Sequence, residues 1–539
     1  MSLISNVDMR SGPSADSLLK FARAWPVLFL LAALCLLQFF SRRHLTPTYD
    51  EPAHLVYGLR VASGNSDRFD NSKMPVSAFN ALPLRLSGMG EQELLASDPA
   101  VSIGRARQMT TWGAVLLGLV VFCWAAELYG YVAGLFALGL DVLEPNLTAH
   151  SQLVTTDLYG VLFITLALYT YWRFLCRPGV GRLAVSALAL ALAQVAKYSA
   201  AYLYPVYLVI AAVWRWRRSE PPRGWWTYAG AILVYATISV AVINAAFLFN
   251  RTLMPWGDYA FKSRLFQSLQ RHTPALAHVP VPLPYPYVQG LDHVKYGDES
   301  GPGLAFGEVY LLGESRSDRG FFDYYLVAFV FKTPLGLQIL GLWAVVRYAR
   351  HRRRHQFARD ELFLAAPALF FAVYFSFFFK AQIGLRYFLV VYPLLIVFVG
   401  SLLQDWPNVT RRARVACAAL GCWIAVSNLS YFGHYLSYFN ELVGERKNSY
   451  QILADSNLDW GQNVGYLTEY LQSHPATVYN PPDPRPGHFI IDANLLVGVI
   501  PHVQASWLRR FEPSGHLVYS YLIFDISPSD LTNRAAPPR

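Results

Sequence analysis

Long apolar runs recur along this chain, separated by short polar breaks. Eleven stand out, at 25–41, 109–127, 131–147, 158–175, 183–197, 199–214, 226–249, 324–346, 361–379, 386–403 and 415–433. A helix needs about 20 apolar residues to cross a hydrocarbon core of about 30 Å. The pattern therefore predicts an α-helical polytopic membrane protein with about 11 transmembrane helices. The fifth and sixth runs, either side of Lys197 and Tyr198, are short, as tilted or half-length spans would be. Composition supports the same class: 54% of the 539 residues are hydrophobic and only 15% are charged, too apolar for an ordinary soluble protein of this length.

Charge then gives an orientation. The net charge of +10 would suit a nucleic-acid binder, but the densest basic clusters cap apolar runs. Basic residues in short loops mark the cytoplasmic side. With the N terminus inside, the connectors Arg173–Arg182, Arg215–Arg223, Arg347–Arg359 (containing RYARHRRRH) and Arg411–Arg414 all fall there. No cleavable signal peptide is expected, because residues 1–25 are polar and no small-residue cleavage site follows the first run. The expected organisation is a cytoplasmic tail at 1–24, a transmembrane domain at 25–433 and an extracytoplasmic C-terminal domain at 434–539. Outer loops are expected at 42–107 and 250–323. SAFNALPLRLSGMG in the first loop suits a helix lying on the membrane surface. VPVPLPYPYVQG in the second suits an ordered loop lid rather than regular helix. In the last segment, HFIIDANLLVGVI and HLVYSYLIFDI read as strands of a small α/β domain. The five cysteines lie in or beside apolar runs, which suggests neither a disulfide framework nor a Cys-based zinc site.

Ionisable groups at membrane depth are costly unless paired or functional. Under this topology several gather at the outer ends of different spans. Asp50 and Glu51 follow the first run, with His54 behind them. Lys73 and Arg107 occupy the first outer loop and its exit. His150 and Asp157 sit in HSQLVTTD, Lys197 at the junction of runs five and six, and Arg386 with Tyr387 opens the tenth. Taken singly each has a plain structural reading: a solvated acidic pair, an N-cap, cations reaching lipid phosphates. Together they offer acids and cations on one side of the membrane. A carboxylate can take the proton of an attacking hydroxyl or amine. Cations can stabilise charge developing on a leaving phosphate. Neither a P-loop nor a dinucleotide fingerprint is present, so a lipid-linked phosphate sugar fits this geometry better than a nucleotide sugar.

At these residues the chain resembles the C-type (GT-C) integral-membrane glycosyltransferases, in the branch of protein O-mannosyltransferases and the lipid A aminoarabinose transferase. The resemblance runs through TYDEPAHLVYG at Asp50–Glu51, KMP at Lys73–Pro75, Arg107 before a span ending ELYG, and EPNLTAHSQLVTTD with Asp157. It continues in AKYSA around Lys197, FKTPLG at Phe331–Gly336 and GLRYFLVVYP around Arg386. Met74 departs from the pattern, standing where the aminoarabinose enzymes carry a first proline after the lysine. YFNELVG and DSNLDWGQNVGYL, the latter from Asp455, are similar to a bacterial, carrier-lipid-dependent subgroup.

The resemblance implies an inverting transfer from a polyprenyl-phosphate sugar to a glycan, lipid or protein acceptor on the outer face of the inner (cytoplasmic) membrane, with no nucleic acid involved. It implies Asp50 as general base, Glu51 as its helper, Asp157 as a second acid, and Lys73, Arg107, Lys197, Arg386 and Tyr387 as a donor phosphate and sugar site. Asp455, Asn457, Asp459, Trp460 and Gln462 are open to two readings, an acceptor site or a turn docking the outer domain; His54 and His150 are likewise acceptor-side or structural. Some relatives use a divalent metal in this cavity and others do not, which leaves a metal open. The rival classes are a glycolipid transporter or flippase and a non-catalytic scaffold for envelope assembly. Charges at span mouths rather than mid-membrane, and the lack of an internal repeat, favour the enzyme.

Overall fold

The computed structural model describes residues 15–65, 72–216, 225–301, 307–350, 357–500 and 505–533. Every one of the eleven apolar runs is helical there. Among the described residues, four helices are long and apolar enough to cross a bilayer: 24–41, 99–129, 157–176 and 227–246. Four more, at 131–143, 180–196, 362–378 and 391–403, are apolar and shorter. The basic runs Arg215–Arg223 and Arg347–Arg359 are only partly covered: 217–224 and 351–356 lie outside the described residues.

The helix Pro99–Tyr129 organises the bundle. It starts on Asp98, whose side chain accepts from Ala100 N, and ends at Gly130 in a left-handed conformation (φ 98°). Its 31 residues extend about 46 Å at 1.5 Å per residue, well beyond a bilayer core. Arg107 lies near its N-terminal end. Glycines let its neighbour approach: a Cβ at Gly134 would lie 2.8 Å from Ala126 Cβ, and one at Gly118 would lie 2.9 Å from Leu138. Small residues at helix contacts serve the same purpose in other membrane bundles.

One expected span is broken. The run 324–346 forms two helices, Tyr324–Lys332 and Leu335–Arg350, bent by 110°. The residue before a proline is driven out of the α region; Thr333, preceding Pro334, is extended (φ −89°, ψ 133°). The bend turns Lys332 inward, where it is buried.

The three expected extramembrane segments meet. In the first, helices Glu51–Ala62 and Ser77–Leu86 pack against Pro99–Tyr129 through Leu55, Leu59, Ala81, Leu84, Ile103 and Ala106, while Phe79, Leu82 and Leu86 stay exposed. The second is more helical than its prolines suggest. Tyr285–Ser300 is a helix that starts directly after Pro284 and has Pro286 in its first turn, where a missing N–H costs nothing. A hairpin of β1 (Val309–Leu311) and β2 (Glu314–Arg316) follows.

The last segment holds β3 (Val478–Tyr479), β4 (Gly487–Asp492), β5 (Gly515–Leu517) and β6 (Tyr521–Ile526), in the order β3-β4-β6-β5. Only β3 and β4 pair in parallel. Both strand expectations shorten. HFIIDANLLVGVI is strand only to Asp492, whose carboxylate then caps a short helix at Asn494 N. HLVYSYLIFDI is a hairpin, broken by left-handed Val518 and Tyr519. Phe489, Ile490 and Ile491 are all buried, so β4 is covered on both faces and reads as a continuous apolar run rather than an alternation.

Candidate active site

Asp50 and Glu51 sit at the start of one helix and point into different surroundings. Glu51 is fully buried. Its two oxygens accept from Arg107 Nε (2.8 Å) and Nη2 (2.6 Å), and from the backbone of Thr48 and Val154 (2.8 Å each). Arg107 gives its other contacts to the carbonyls of Leu45 (3.1 Å) and Thr46 (2.9 Å). Four of the five guanidinium N–H donors are thereby engaged. The expectation that Arg107 faces a donor phosphate does not agree with this arrangement: the guanidinium is walled in by the first loop, and Glu51 is its partner rather than Asp50's.

Asp50 is far more open, its side chain 36% exposed, with Arg386 Nη1 3.3 Å from Oδ2. Arg386 also donates from Nε to Ile383 O (3.2 Å), and its guanidinium lies 4.4 Å above the Trp460 ring and 5.6 Å from that of Tyr387. Deeper in, Lys197 Nζ meets Asp157 Oδ1 at 2.6 Å and lies 5.1 Å from the Tyr387 ring. Tyr387 thus stands between the two cations. His150 Nδ1 is 3.9 Å from Asp157 Oδ2; burial pushes its imidazole down to about 3, with Asp157 opposing and Arg386 and Lys197 reinforcing. It is neutral at physiological pH, so no ion pair joins it to Asp157.

His54 lies on the buried face of the helix Glu51–Ala62, Nδ1 3.3 Å from Ser77 Oγ. Burial, then the charge of nearby Lys73, hold it well below the usual histidine range. It too is neutral. Lys73 itself is half-buried.

The strip Asp455–Gln462 divides. Asn457 is buried, donating to Tyr324 Oη and Ala454 O (2.9 Å each) and accepting from Leu385 N (3.0 Å). Asp459 accepts from Gly461 N, and Gln462 closes on Trp460 N (2.6 Å each). Backbone bonds from Thr46 N to Gln462 O and from Tyr49 N to Trp460 O (3.0 Å each) zip this turn to the segment just before Asp50. These three side chains hold the turn. Trp460 and Asp455 instead face the cluster. Asp455 adopts a left-handed conformation (φ 60°), and its carboxyl, pushed up by burial to about 6 against the pull of Arg386, also feels Asp50.

Two contributors lie outside the residues the sequence singles out. Lys332 donates to Leu436 O (2.8 Å) and Asn457 O (2.5 Å), holding the strip on the bent span. Asn494 Oδ1 accepts from Asp455 N (2.6 Å), and its amide donates to Asp459 O (3.0 Å). A lysine inside an apolar run is a readable signal for the first; Asn494 gives none. Among the described residues no three His, Cys, Asp or Glu side chains converge as a metal site, and the carboxylates of the cluster face cations instead. Beside the cluster, an apolar groove of about 540 Å³ opens between the bent span and the helices at 362–373 and 391–399, lined by Tyr325, Phe329, Phe388 and Phe398 among others.

Residues 106–243 match the family described as dolichyl-phosphate-mannose-protein mannosyltransferase. No curated protein matches the chain. Among solved structures, ArnT from Cupriavidus metallidurans bound to undecaprenyl phosphate is similar at a TM-score of 0.50 and 13% identity, covering 93% of this chain and 98% of that one. The oligosaccharyltransferase of Archaeoglobus fulgidus, tethered to an acceptor peptide with the NVT sequon, is similar at 0.50 and 10% identity, covering 77% of this chain and 55% of that one. The segment 106–243 is thus similar to that mannosyltransferase family, and the chain as a whole shares the fold of ArnT.

Proposed function

We propose that the protein transfers a sugar, with inversion, from a polyprenyl-phosphate carrier to an acceptor on the outer face of the cytoplasmic membrane, as in the bacterial carrier-lipid-dependent subgroup, with Asp50 as general base. The family match over residues 106–243 and the fold shared with ArnT support a glycosyltransferase with a lipid-linked donor. The observation that carries the finer reading is the Asp50–Arg386 contact: an accessible carboxylate at hydrogen-bond distance from a cation in a cluster of cations. In the proposed step the acceptor oxygen or nitrogen attacks the anomeric carbon. The bond from that carbon to the phosphate oxygen breaks, polyprenyl phosphate leaves with the electron pair, and Asp50 takes the acceptor's proton.

Arg386 and Lys73 are the proposed phosphate ligands, since arginine matches phosphate oxygens in a fork and lysine acts as a point charge. Lys197, fixed by Asp157, adds positive potential through the Tyr387 side. Glu51 and Arg107 position the loop from which Asp50 projects. The apolar groove ending at Phe388, two residues from Arg386, offers a lipid tail a path to the site. The basic connectors in the sequence support an extracytoplasmic position for this cluster.

The deciding assay uses full-length protein in proteoliposomes supplied with a polyprenyl-phosphate hexose, with sugar transfer and lipid movement followed together. Wild-type transfer with loss in a folded Asp50→Asn protein is the expected result. Undiminished transfer by that variant removes Asp50 as the base, and movement of the glycolipid without transfer makes the protein a flippase.

A further inference from the structure

The cluster contains one carboxylate that the proposed step does not use. Asp455 comes from the far end of the chain, outside the matched segment 106–243, and is brought in by the turn zipped to residues 46–49. Its backbone is left-handed at φ 60°, a conformation costly for most residues other than glycine and characteristic of sites where surrounding structure imposes it. The imposing contacts are on view: Asn494 accepts from its amide, buried Asn457 bonds Ala454 O on one side and Leu385 N on the other, and Lys332 anchors Asn457 O. Four side-chain contacts hold a two-residue corner whose product is the placement of one carboxylate.

That carboxylate is half-buried, within electrostatic reach of Arg386 and Asp50, and among the described residues no side chain donates to it. A buried or half-buried carboxylate is expected to find donors; this one has only the backbone of its own turn. A phosphate seated on Arg386 would be repelled by it. What lies next to the phosphate in a carrier-linked sugar is the sugar ring, and ring hydroxyls are hydrogen-bond donors. Trp460, buried under Arg386 in the same turn, holds that guanidinium in place next to this corner.

We infer that Asp455 is a substrate-binding residue that accepts hydrogen bonds from hydroxyl or amino groups on the transferred sugar, so that the outer domain reads the sugar while the membrane helices hold its phosphate. The inference rests on the proposed function and deepens it. It divides recognition between two parts of the chain: Arg386 and Lys73 bind any polyprenyl phosphate, and Asp455 distinguishes one that carries a sugar.

The test compares binding of a short-chain polyprenyl phosphate with the same lipid bearing a hexose, an N-acetylhexosamine or an aminopentose, using full-length protein in detergent. Wild type is expected to bind at least one sugar-bearing lipid about tenfold or more tighter than the bare phosphate, the scale of a hydrogen bond to a charged group. Asp455→Asn, which keeps the shape and tolerates the left-handed backbone, should lose that preference while binding the bare phosphate at least as tightly as wild type, because the repelling charge is gone. Equal weakening of both ligands in Asp455→Asn, an unchanged preference, or no preference in wild type across the three sugars overturns the inference. Failure of wild type to bind even the bare phosphate overturns the proposed function instead. Thermal melting of the variant separates a lost contact from a lost fold.

Discussion

Asp50 and Glu51 are adjacent acids, each beside an arginine, yet their surroundings differ in every respect that matters for chemistry. Glu51 is fully buried, its oxygens hold four donors, and Arg107 has four of five N–H groups engaged. Asp50 is about a third exposed and touches Arg386 through one long contact. A saturated pair can hold a loop but has no capacity left for substrate; an open pair can exchange its partner for a phosphate or a hydroxyl. The helix makes the separation: Asp50 precedes its first turn, and Glu51 begins the buried face that continues through His54, Leu55, Gly58 and Leu59.

The comparison is broken most severely at Asp50. Asp50→Asn should lower the rate of transfer by about 10²–10⁴-fold, the usual contribution of a positioned general base, while leaving the melting temperature nearly unchanged. Exposed ion pairs contribute only about 0–1 kcal/mol. Single-turnover transfer and a melting curve on the same preparation check both halves.

Glu51→Gln should do the reverse. Removing one partner of a buried pair leaves the other charge unpaired, a loss of about 3–5 kcal/mol. The variant should melt far lower or fail to accumulate, and what remains folded should bind polyprenyl phosphate with near-normal affinity. If Glu51→Gln instead folds normally and only the rate falls, the division between the two acids is wrong.

This division was half legible. The eleven apolar runs and the gathering of Asp157, Lys197 and Arg386 were readable in the chain alone, because membrane insertion leaves a strong one-dimensional signature. The resemblance treated Asp50 and Glu51 as one functional unit, and Arg107 as a phosphate ligand. A helical reading of the buried face was available: Glu51, His54, Leu55 and Gly58 recur at i, i+3, i+4 and i+7, as do Ile103, Ala106, Arg107 and Thr110. The period alone places Glu51 and Arg107 in a core. The strip Asp455–Gln462 was not resolvable in this way. Its residues have no period, and whether each faces the turn or the site depends on Asn494 and Lys332, 39 and 125 residues away in sequence. Nor could propensity foresee the helix after VPVPLP, since proline at a helix start and proline in a loop look alike in one dimension.

Arg386→Lys sharpens the contrast at a smaller scale. Lysine keeps the charge and gives up both the fork and the stacking on Trp460 and Tyr387. We expect polyprenyl-phosphate affinity to fall about 10-fold, since each lost charge-assisted bond is of order 1.5–3 kcal/mol and lysine recovers part of it. The same substitution at Arg107 should leave that affinity intact and lower stability, because there the fork serves Glu51 and two carbonyls.

The smallest expected effect concerns stability at Asp455 and runs opposite to Glu51→Gln. Burial raises the Asp455 carboxyl to about 6, with Arg386 only partly offsetting it, so the folded protein carries an ionised group in a place that disfavours the charge. For a carboxyl whose folded value lies above its unfolded one, stability is lost as pH rises between the two, here from about 4 to about 6, because the folded state binds the proton more tightly. Above pH 6 the penalty is complete. Asp455→Asn removes it and also suits the left-handed backbone better. The variant should therefore melt no lower than wild type at pH 7.5, and the gap should close as pH falls through 6 toward 4. Melting curves of both proteins across that range measure it, and a variant that melts lower at pH 7.5 would mean that Asp455 holds the turn, as Asn457 does, rather than facing a sugar.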